Sequence, residues 1–438
     1  MYVMHSEVKL TEIAIVVVAA LMGGIALARL KQPSILGYIL AGVILGPSGF
    51  ALIQSRDQVS SLAELGVLLL LFVVGMELNL KVFKKVWVVA TLCTLLQIVC
   101  SVAITLVLGQ FFGWSLGLAL LLGFVASISS TAVVFKMIES IGEMKTEAGQ
   151  LVVGILIAQD LAIIPMILIL RNYGQSWLNP SLLIKLVVAI GLTMALITYL
   201  SRKQRVRFPL SSFFAGEKDL IPLAGLTLCF AAAAISGLIG LSAPYGAFLA
   251  GLVLGNTHER VLYLDTTKPI QNILLMAFFL SIGLLLDIQF IWQHLWTVLV
   301  LLFIVTVGKT ALNVGILRVL QLPWSQAFLV GTLVAQLGEF AFLMASVSTE
   351  SRIINQFGEN LIIALTVLSL AFSPIWNTTA KRLKDMTNVN SAPLGGILKF
   401  LCTSERSSLR KFFTLFRKNP FRGFTHRKLL NKPDDTQK

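Results

Sequence analysis

Apolar runs of about 20 residues follow one another along this chain almost from end to end. A run of that length is what a helix needs to cross the roughly 30 Å hydrocarbon core of a bilayer. Thirteen candidate spans can be drawn, at roughly 10–30, 34–53, 60–79, 86–109, 115–138, 149–170, 181–200, 219–240, 243–256, 268–286, 290–320, 325–348 and 359–378. The chain is 56% hydrophobic and only 13% charged, where a soluble chain is about a quarter charged. The reading is an all-α polytopic membrane protein with about 13 transmembrane helices. The first run, AIVVVAALMGGIALARL, is followed at once by others, so it is taken as the first span and not as a cleaved signal.

Lysine and arginine set the orientation. With the N-terminus outside, the inner loops hold fifteen of them, among them Lys84, Lys85, Lys145, Arg260 and Lys268, against five outside: Lys9, Arg56, Arg171, Lys185 and Arg352. The stretch from 381 to 438 adds fourteen more on the inner side. The positive-inside rule then gives a multi-pass protein of the cell inner (cytoplasmic) membrane, N-terminus outside and C-terminus cytoplasmic. It also accounts for the net charge of +14 without nucleic acid as a partner. The tail mixes Phe and Leu with Arg and Lys in LRKFFTLFRKNPFRGFTHRKLL, a pattern suited to anionic inner-leaflet lipids or to a basic tail without structure. The four cysteines (Cys93, Cys100, Cys229, Cys402) and four histidines (His5, His258, His294, His426) are scattered, with no CxxC and no HxxxH. No disulfide framework, cofactor or tight transition-metal site is expected, although carboxylates remain as metal ligands.

The chain repeats itself. GYILAGVILG at Gly37–Gly46 returns as GAFLAGLVLG at Gly246–Gly255, and LFVVGMELN at Leu71–Asn79 returns as FLSIGLLLD at Phe279–Asp287. SSTA at Ser129–Ala132 falls on GEFA at Gly338–Ala341, and AQDLAIIP at Ala158–Pro165 on VLSLAFSP at Val367–Pro374. The offsets are 209, 208, 209 and 209, so the four matches keep register. Each unit holds six spans and a seventh lies between them, so the second unit enters the membrane from the opposite side. This is an inverted repeat, the architecture of secondary transporters, with the substrate site near the midplane. The units are residues 1–170, a linker helix and basic cytoplasmic loop at 171–218, a second repeat at 219–380, and the basic tail at 381–438.

Three ionisable residues lie deep within spans: Asp160, Lys309 and Glu339; Glu64 and Glu77 lie toward span ends. A charge at the centre of a bilayer costs about 2.5–3.5 kcal/mol on insertion scales, so such residues face an interior or a wet cavity and mark function. A buried structural Asp160–Lys309 pair and a proton-and-cation site are both compatible with this pattern. The repeat mates are Ser369 for Asp160 and Cys100 for Lys309, so the charges belong to one copy. SISSTAVV and AQLGEFAF are polar and small in the middle of matched spans, which reads as two broken helices. Glu339 would there neutralise positive helix N-termini.

The motifs LGYILAGVILGP, LAELGVLLLLFVVGMEL, SSTA, AQDLAIIP, YGAFLAGLVLG and AQLGEFAF, in order over about residues 10–380, resemble the membrane domain of the Kef-type branch of the monovalent cation:proton antiporter-2 family. The resemblance implies a sodium/proton antiporter-like fold with two crossing broken helices, a core and a dimerisation domain, hence a homodimer, and elevator-type motion. It implies Asp160 as the acid that binds cation and proton in turn, and Lys309 as the lysine able to pair with it. Ser129, Ser130 and Thr131 would line one break, Gln336 and Glu339 the other. Gln159 beside Asp160 resembles the potassium-selective members, so the expected cargo is potassium ahead of sodium, exchanged for protons without net charge. Residues 381–438 hold no GxGxxG, so the nucleotide-binding domain usual in Kef systems is not expected here. Two alternatives stay open: a divalent-metal (iron)/proton antiporter on the same scaffold, and a gated cation channel, which would pass currents far above antiporter rates.

Overall fold

The computed structural model describes residues 2–29, 33–52, 57–78, 80–173, 180–202, 220–239 and 241–387. Asn79 of one repeat motif, the basic loop at 203–219 and the tail beyond 387 lie outside the described residues. Among the described residues the regular elements are helices. The first half holds α1 (Tyr2–Arg29), α2 (Ser34–Leu45), α3 (Asp57–Glu77), α4 (Leu80–Phe112), α5 (Leu116–Ser127), α6 (Thr131–Ile141) and α7 (Glu147–Arg171). After α8 (Pro180–Arg202) come α9 (Leu220–Leu238), α10 (Ala243–Gly255), α11 (Arg260–Leu285), α12 (Ile288–Gln293) and α13 (Leu295–Phe303). The described residues end with α14 (Lys309–Val319), α15 (Trp324–Leu333), α16 (Phe340–Glu350), α17 (Gln356–Ala371) and α18 (Ser373–Thr387).

Among the described residues, five stretches are long and apolar enough to cross a membrane unaided: Phe83–Phe112, Glu147–Arg171, Leu220–Leu238, Arg260–Leu285 and Leu295–Val319. The bent pair α17–α18, with 44° between its parts, makes a sixth. The fifth and twelfth candidate spans are each interrupted, giving α5/α6 and α15/α16. A π-helical turn, Ile304–Gly308, joins α13 to α14 immediately before Lys309.

The helices sort into two bundles. One is built from α1–α3 and α9–α11; the other gathers α4–α7 with α14–α18, and α8 touches both. Corresponding parts of the two repeats make corresponding contacts. In α2, Gly42 lies against Gly283 and the Leu280 carbonyl of α11; its mate Gly251 in α10 lies against Gly75 and the Phe72 carbonyl of α3. Gly37 rests on the Gly23 carbonyl, and its mate Gly246 on the Ala232 carbonyl. At each crossing a side chain would run into backbone, so only glycine lets the axes come this close, the small-residue packing of membrane helices. Between the bundles, Phe278 and Phe279 of α11 meet Phe342 of α16 edge to face, with ring centroids 6.5 and 6.1 Å away.

These crossings give a signed prediction. Gly251→Ala is expected to destabilise by about 1–3 kcal/mol through overpacking. Gly191→Ala in α8, where a Cβ meets nothing within 4 Å, should be neutral or stabilising by up to about 1 kcal/mol, the helix-propensity gain. Thermal unfolding of the two variants in detergent, read against the parent, checks both signs.

Candidate functional site

Breaking two helices inside an apolar bundle leaves backbone donors and acceptors without partners, and each left unmet costs about 1–3 kcal/mol. The extended residues Ile128–Ser130 and the stretch Val334–Glu339 cross in contact: a Cβ on Gly338 would stand 2.9 Å from the Ser129 carbonyl oxygen. Four helix ends therefore meet here, the C-termini of α5 and α15 and the N-termini of α6 and α16.

Lys309 serves the two C-terminal ends. Its Nζ donates to the Ile128 carbonyl at 2.6 Å and to the Gln336 carbonyl at 3.0 Å. Glu339 lies beside the two N-terminal ends, without a side-chain capping hydrogen bond to α16. It occupies the N-cap position of α16, and its Oε2 accepts from the hydroxyl of Ser130 at 2.8 Å. Ser130 in turn caps α6, accepting from the Val133 N–H. A cation on carbonyl ends and an anion on amide ends is the arrangement the helix dipole favours. Ser130 and Glu339 are 209 residues apart, so two repeat-matched positions bond to each other.

The remaining orphans are met by polar side chains. Ser129 donates its hydroxyl to the Val334 carbonyl at 2.7 Å, and its N–H to Gln159 Oε1 at 3.0 Å. Gln159 Nε2 donates to the Ser127 carbonyl and to Gln97 Oε1. On the other break, the Leu337 N–H donates to Ser369 Oγ at 3.1 Å. Gln336 donates its Nε2 to the Met137 sulfur at 3.2 Å, and its buried Oε1 has no partner among the described residues.

Asp160 stands apart from this bracing. It is 3% exposed and receives the Thr131 hydroxyl, at 3.3 and 3.5 Å to its two oxygens. An ionised carboxylate offers about four lone-pair sites, and Asp160 lines a cavity of about 380 Å³. That cavity runs between the bundles. Asp160, Thr131 and Phe135 contribute from one side, Val74, Glu77 and Arg260 from the other, with Lys145 and Gln150 also in its wall. Pro165 in the same helix lacks an N–H, which frees the Leu161 carbonyl one residue past Asp160.

All eight sequence-predicted site residues thus come together around the crossing, but with different partners than the pattern suggested. Lys309 makes no ion pair with Asp160; it spends its hydrogen bonds on backbone carbonyls. Glu77 is exposed and pairs with Lys268 of α11 at 2.6 Å. Glu64 is exposed and lines no part of the cavity. Sequence reasoning passed over Gln97 and Asn313, which join the network through Gln97 Nε2 to Asn313 Oδ1 at 2.9 Å. Their signal was present: single amides deep in apolar spans, with Asn313 four residues after Lys309 on the same helix face.

Residues 15–379 match the family described as sodium/hydrogen exchanger, transmembrane. The chain is 48% identical to the iron transporter MagA of Paramagnetospirillum magneticum, over 87% of this chain and 88% of that one. It is 33% identical to K(+) efflux antiporter 5 of Arabidopsis thaliana, over 84% of this chain but 65% of that longer protein. It is 28% identical to the putative cation/proton antiporter YbaL of Escherichia coli, over 85% and 68%. In three dimensions it resembles the sodium proton antiporter MjNhaP1 of Methanocaldococcus jannaschii at pH 8, with a TM-score of 0.67 and 13% identity over 86% of this chain and 98% of that one. The fold is that of a sodium/proton antiporter, and the chain belongs to the sodium/hydrogen exchanger family, in its Kef-type cation:proton antiporter branch.

Proposed function

We propose that this protein is a secondary active transporter that exchanges a cation for protons, with Asp160 holding each cargo in turn. The observation that carries this reading is the situation of Asp160, a buried carboxylate with one hydroxyl donor and an open cavity in front of it. A carboxylate there needs either a proton or a cation, because an uncompensated buried charge costs several kcal/mol. The two cargoes compete for one site, and that competition couples their flows. Family membership and the antiporters among the relatives support the same reading.

The finer assignments follow from the residues. One carboxylate exchanging one proton for one monovalent cation moves no net charge. Lys309 and Glu339 travel with the core and offset each other. The cavity between the bundles supports an elevator motion in which the Asp160 bundle slides against the α1–α3/α9–α11 bundle, itself the homodimer scaffold. Lys145 and Arg260 in the cavity wall belong to the lysine- and arginine-rich side, so the cavity faces the cytoplasm, with the N-terminus outside and the C-terminus inside the inner membrane. Potassium is put before sodium, in keeping with Gln159 beside Asp160 and with relatives described as K(+) efflux antiporters.

A second reading has its own observation: a relative 48% identical is described as an iron transporter. The donors at the cavity end, a carboxylate and a hydroxyl, are hard oxygens that suit alkali and alkaline-earth cations. Among the described residues no group of three or more His, Cys, Asp or Glu is gathered. The monovalent cation is therefore placed first.

Proteoliposomes with a trapped pH dye decide between them when potassium, sodium and ferrous salts are added in turn. Potassium is expected to dissipate an imposed proton gradient, at a rate and an end point that do not move with membrane potential. Ferrous iron acting alone would exchange the two readings. Asp160→Asn should insert normally and abolish exchange; retained cation-driven proton flux would remove Asp160 from the mechanism.

Lys309→Gln separates bracing from proton transport. The loss of two charge-assisted hydrogen bonds should lower stability by about 3 kcal/mol and leave the number of protons moved per cation unchanged. A changed proton-to-cation ratio, measured from reversal gradients, would make the lysine proton part of the cargo.

A further inference from the structure

A chain of three side-chain amides runs behind Asp160 and ties one break to the other. It begins at the Val334 carbonyl, which accepts from Asn313 Nδ2 at 3.2 Å. Asn313 Oδ1 accepts from Gln97 Nε2, Gln97 Oε1 from Gln159 Nε2, each at 2.9 Å, and Gln159 Oε1 from the Ser129 N–H at 3.0 Å. The three amides are each 1% exposed and none lines the cavity. They stand on α14, α4 and α7, three helices otherwise continuous past the crossing.

The polarity of this chain is fixed at both ends. A backbone N–H only donates and a carbonyl only accepts, so no amide between them can reverse without setting donor against donor. Gln159 is consequently committed. Its Oε1 is held by Ser129, and its Nε2 faces two acceptors, Gln97 Oε1 and the Ser127 carbonyl. A carboxylate in its place would put oxygen against those same two acceptors.

We infer that Gln97 and Asn313 are positioning residues of the exchange site: they require a neutral amide at 159, turn it away from the cation on Asp160, and hold the two breaks in one register. The inference rests on the reading of Asp160 as the exchanging group. It makes Gln159 a brace and leaves Asp160 as the lone titrating member of the Gln159–Asp160 pair. The number of charges the site carries is then set by residues that never touch the cargo.

The test uses the full chain in proteoliposomes with potassium as the probe, and Gln97→Leu, Asn313→Leu, their double variant and Gln97→Glu. Each leucine variant should raise the potassium concentration for half-maximal rate by about tenfold, the size of effect seen when outer-shell partners of a bound ion are lost, while the maximal rate stays within about threefold. The double variant should also show about tenfold, and not the product, because one chain is cut in either place. Gln97→Glu tests the donor without removing the side chain. Protonated, it still donates to Asn313; ionised, it does not. Its rate relative to the parent should therefore fall as pH rises. Half-maximal concentrations within twofold of the parent in both single variants, multiplied effects in the double, or a Gln97→Glu ratio flat with pH would each overturn the inference.

Amide deuterium exchange keeps the test separate from transport. In Gln97→Leu, uptake should rise in both peptides 128–131 and 334–337, although they are far apart in sequence. A rise in neither, or in the first alone, would also overturn the inference. A parent protein that moves no cation would refute the exchange reading, and the deuterium result would still decide whether the amide chain holds the breaks.

Discussion

Hydrocarbon offers a peptide group no partner, and two helices of this protein stop inside an apolar bundle. The consequences of that interruption organise the rest of the structure. Orphaned carbonyls at the ends of α5 and α15 draw in the ammonium of Lys309, the hydroxyl of Ser129 and the amides of Gln159 and Asn313. Orphaned N–H groups take up Ser130, Gln159 and Ser369 as acceptors. Once these are paired, Asp160 stands out as the group whose remaining capacity faces a cavity. The breaks thus create both the rigid frame and the contrast that distinguishes one carboxylate from its polar surroundings.

The two repeats share the frame and divide the chemistry. Glycine crossings in α2/α11 and α10/α3 match across the pseudo-twofold relation, as does the joining of each break to the helix that follows it, through Gln159 on α7 and Ser369 on α17. The charged members do not match. Asp160 faces Ser369 in the repeat, Lys309 faces Cys100, and Glu339 faces Ser130. A symmetric fold with an asymmetric charge set supports the proposal of one site, not two.

Much of this was legible in the sequence because its causes are local. The constant offset near 209 betrayed the repeat, small and polar residues inside apolar spans marked the breaks, and the cost of a buried charge singled out Asp160, Lys309 and Glu339. Partner choice was not legible. Two opposite charges deep in spans, Lys309 and Asp160, read as an ion pair in one dimension, yet the geometry of four converging helix ends gives the ammonium its acceptors in the Ile128 and Gln336 carbonyls. Gln97 and Asn313 were missed because uncharged amides carry no insertion penalty large enough to stand out; their meaning lies in a chain assembled from three helices. The π-helical turn before Lys309 leaves no composition signal, since Ile304–Gly308 reads like any apolar segment.

The aromatic contact between the bundles bears on where voltage falls. Phe278 and Phe279 lie about 27 Å along α11 from Arg260 in the cavity wall, at 1.5 Å per residue. The cavity on the Arg260 side has room for roughly a dozen waters at liquid density. Water filling that volume would carry the bulk potential inward toward Asp160, while the edge-to-face rings of Phe278, Phe279 and Phe342 hold no atom that can pass on a proton. On the exchange reading proposed above, the membrane potential would then fall across the packed region that includes those rings. Asp160 would then belong electrically to the compartment its cavity opens to.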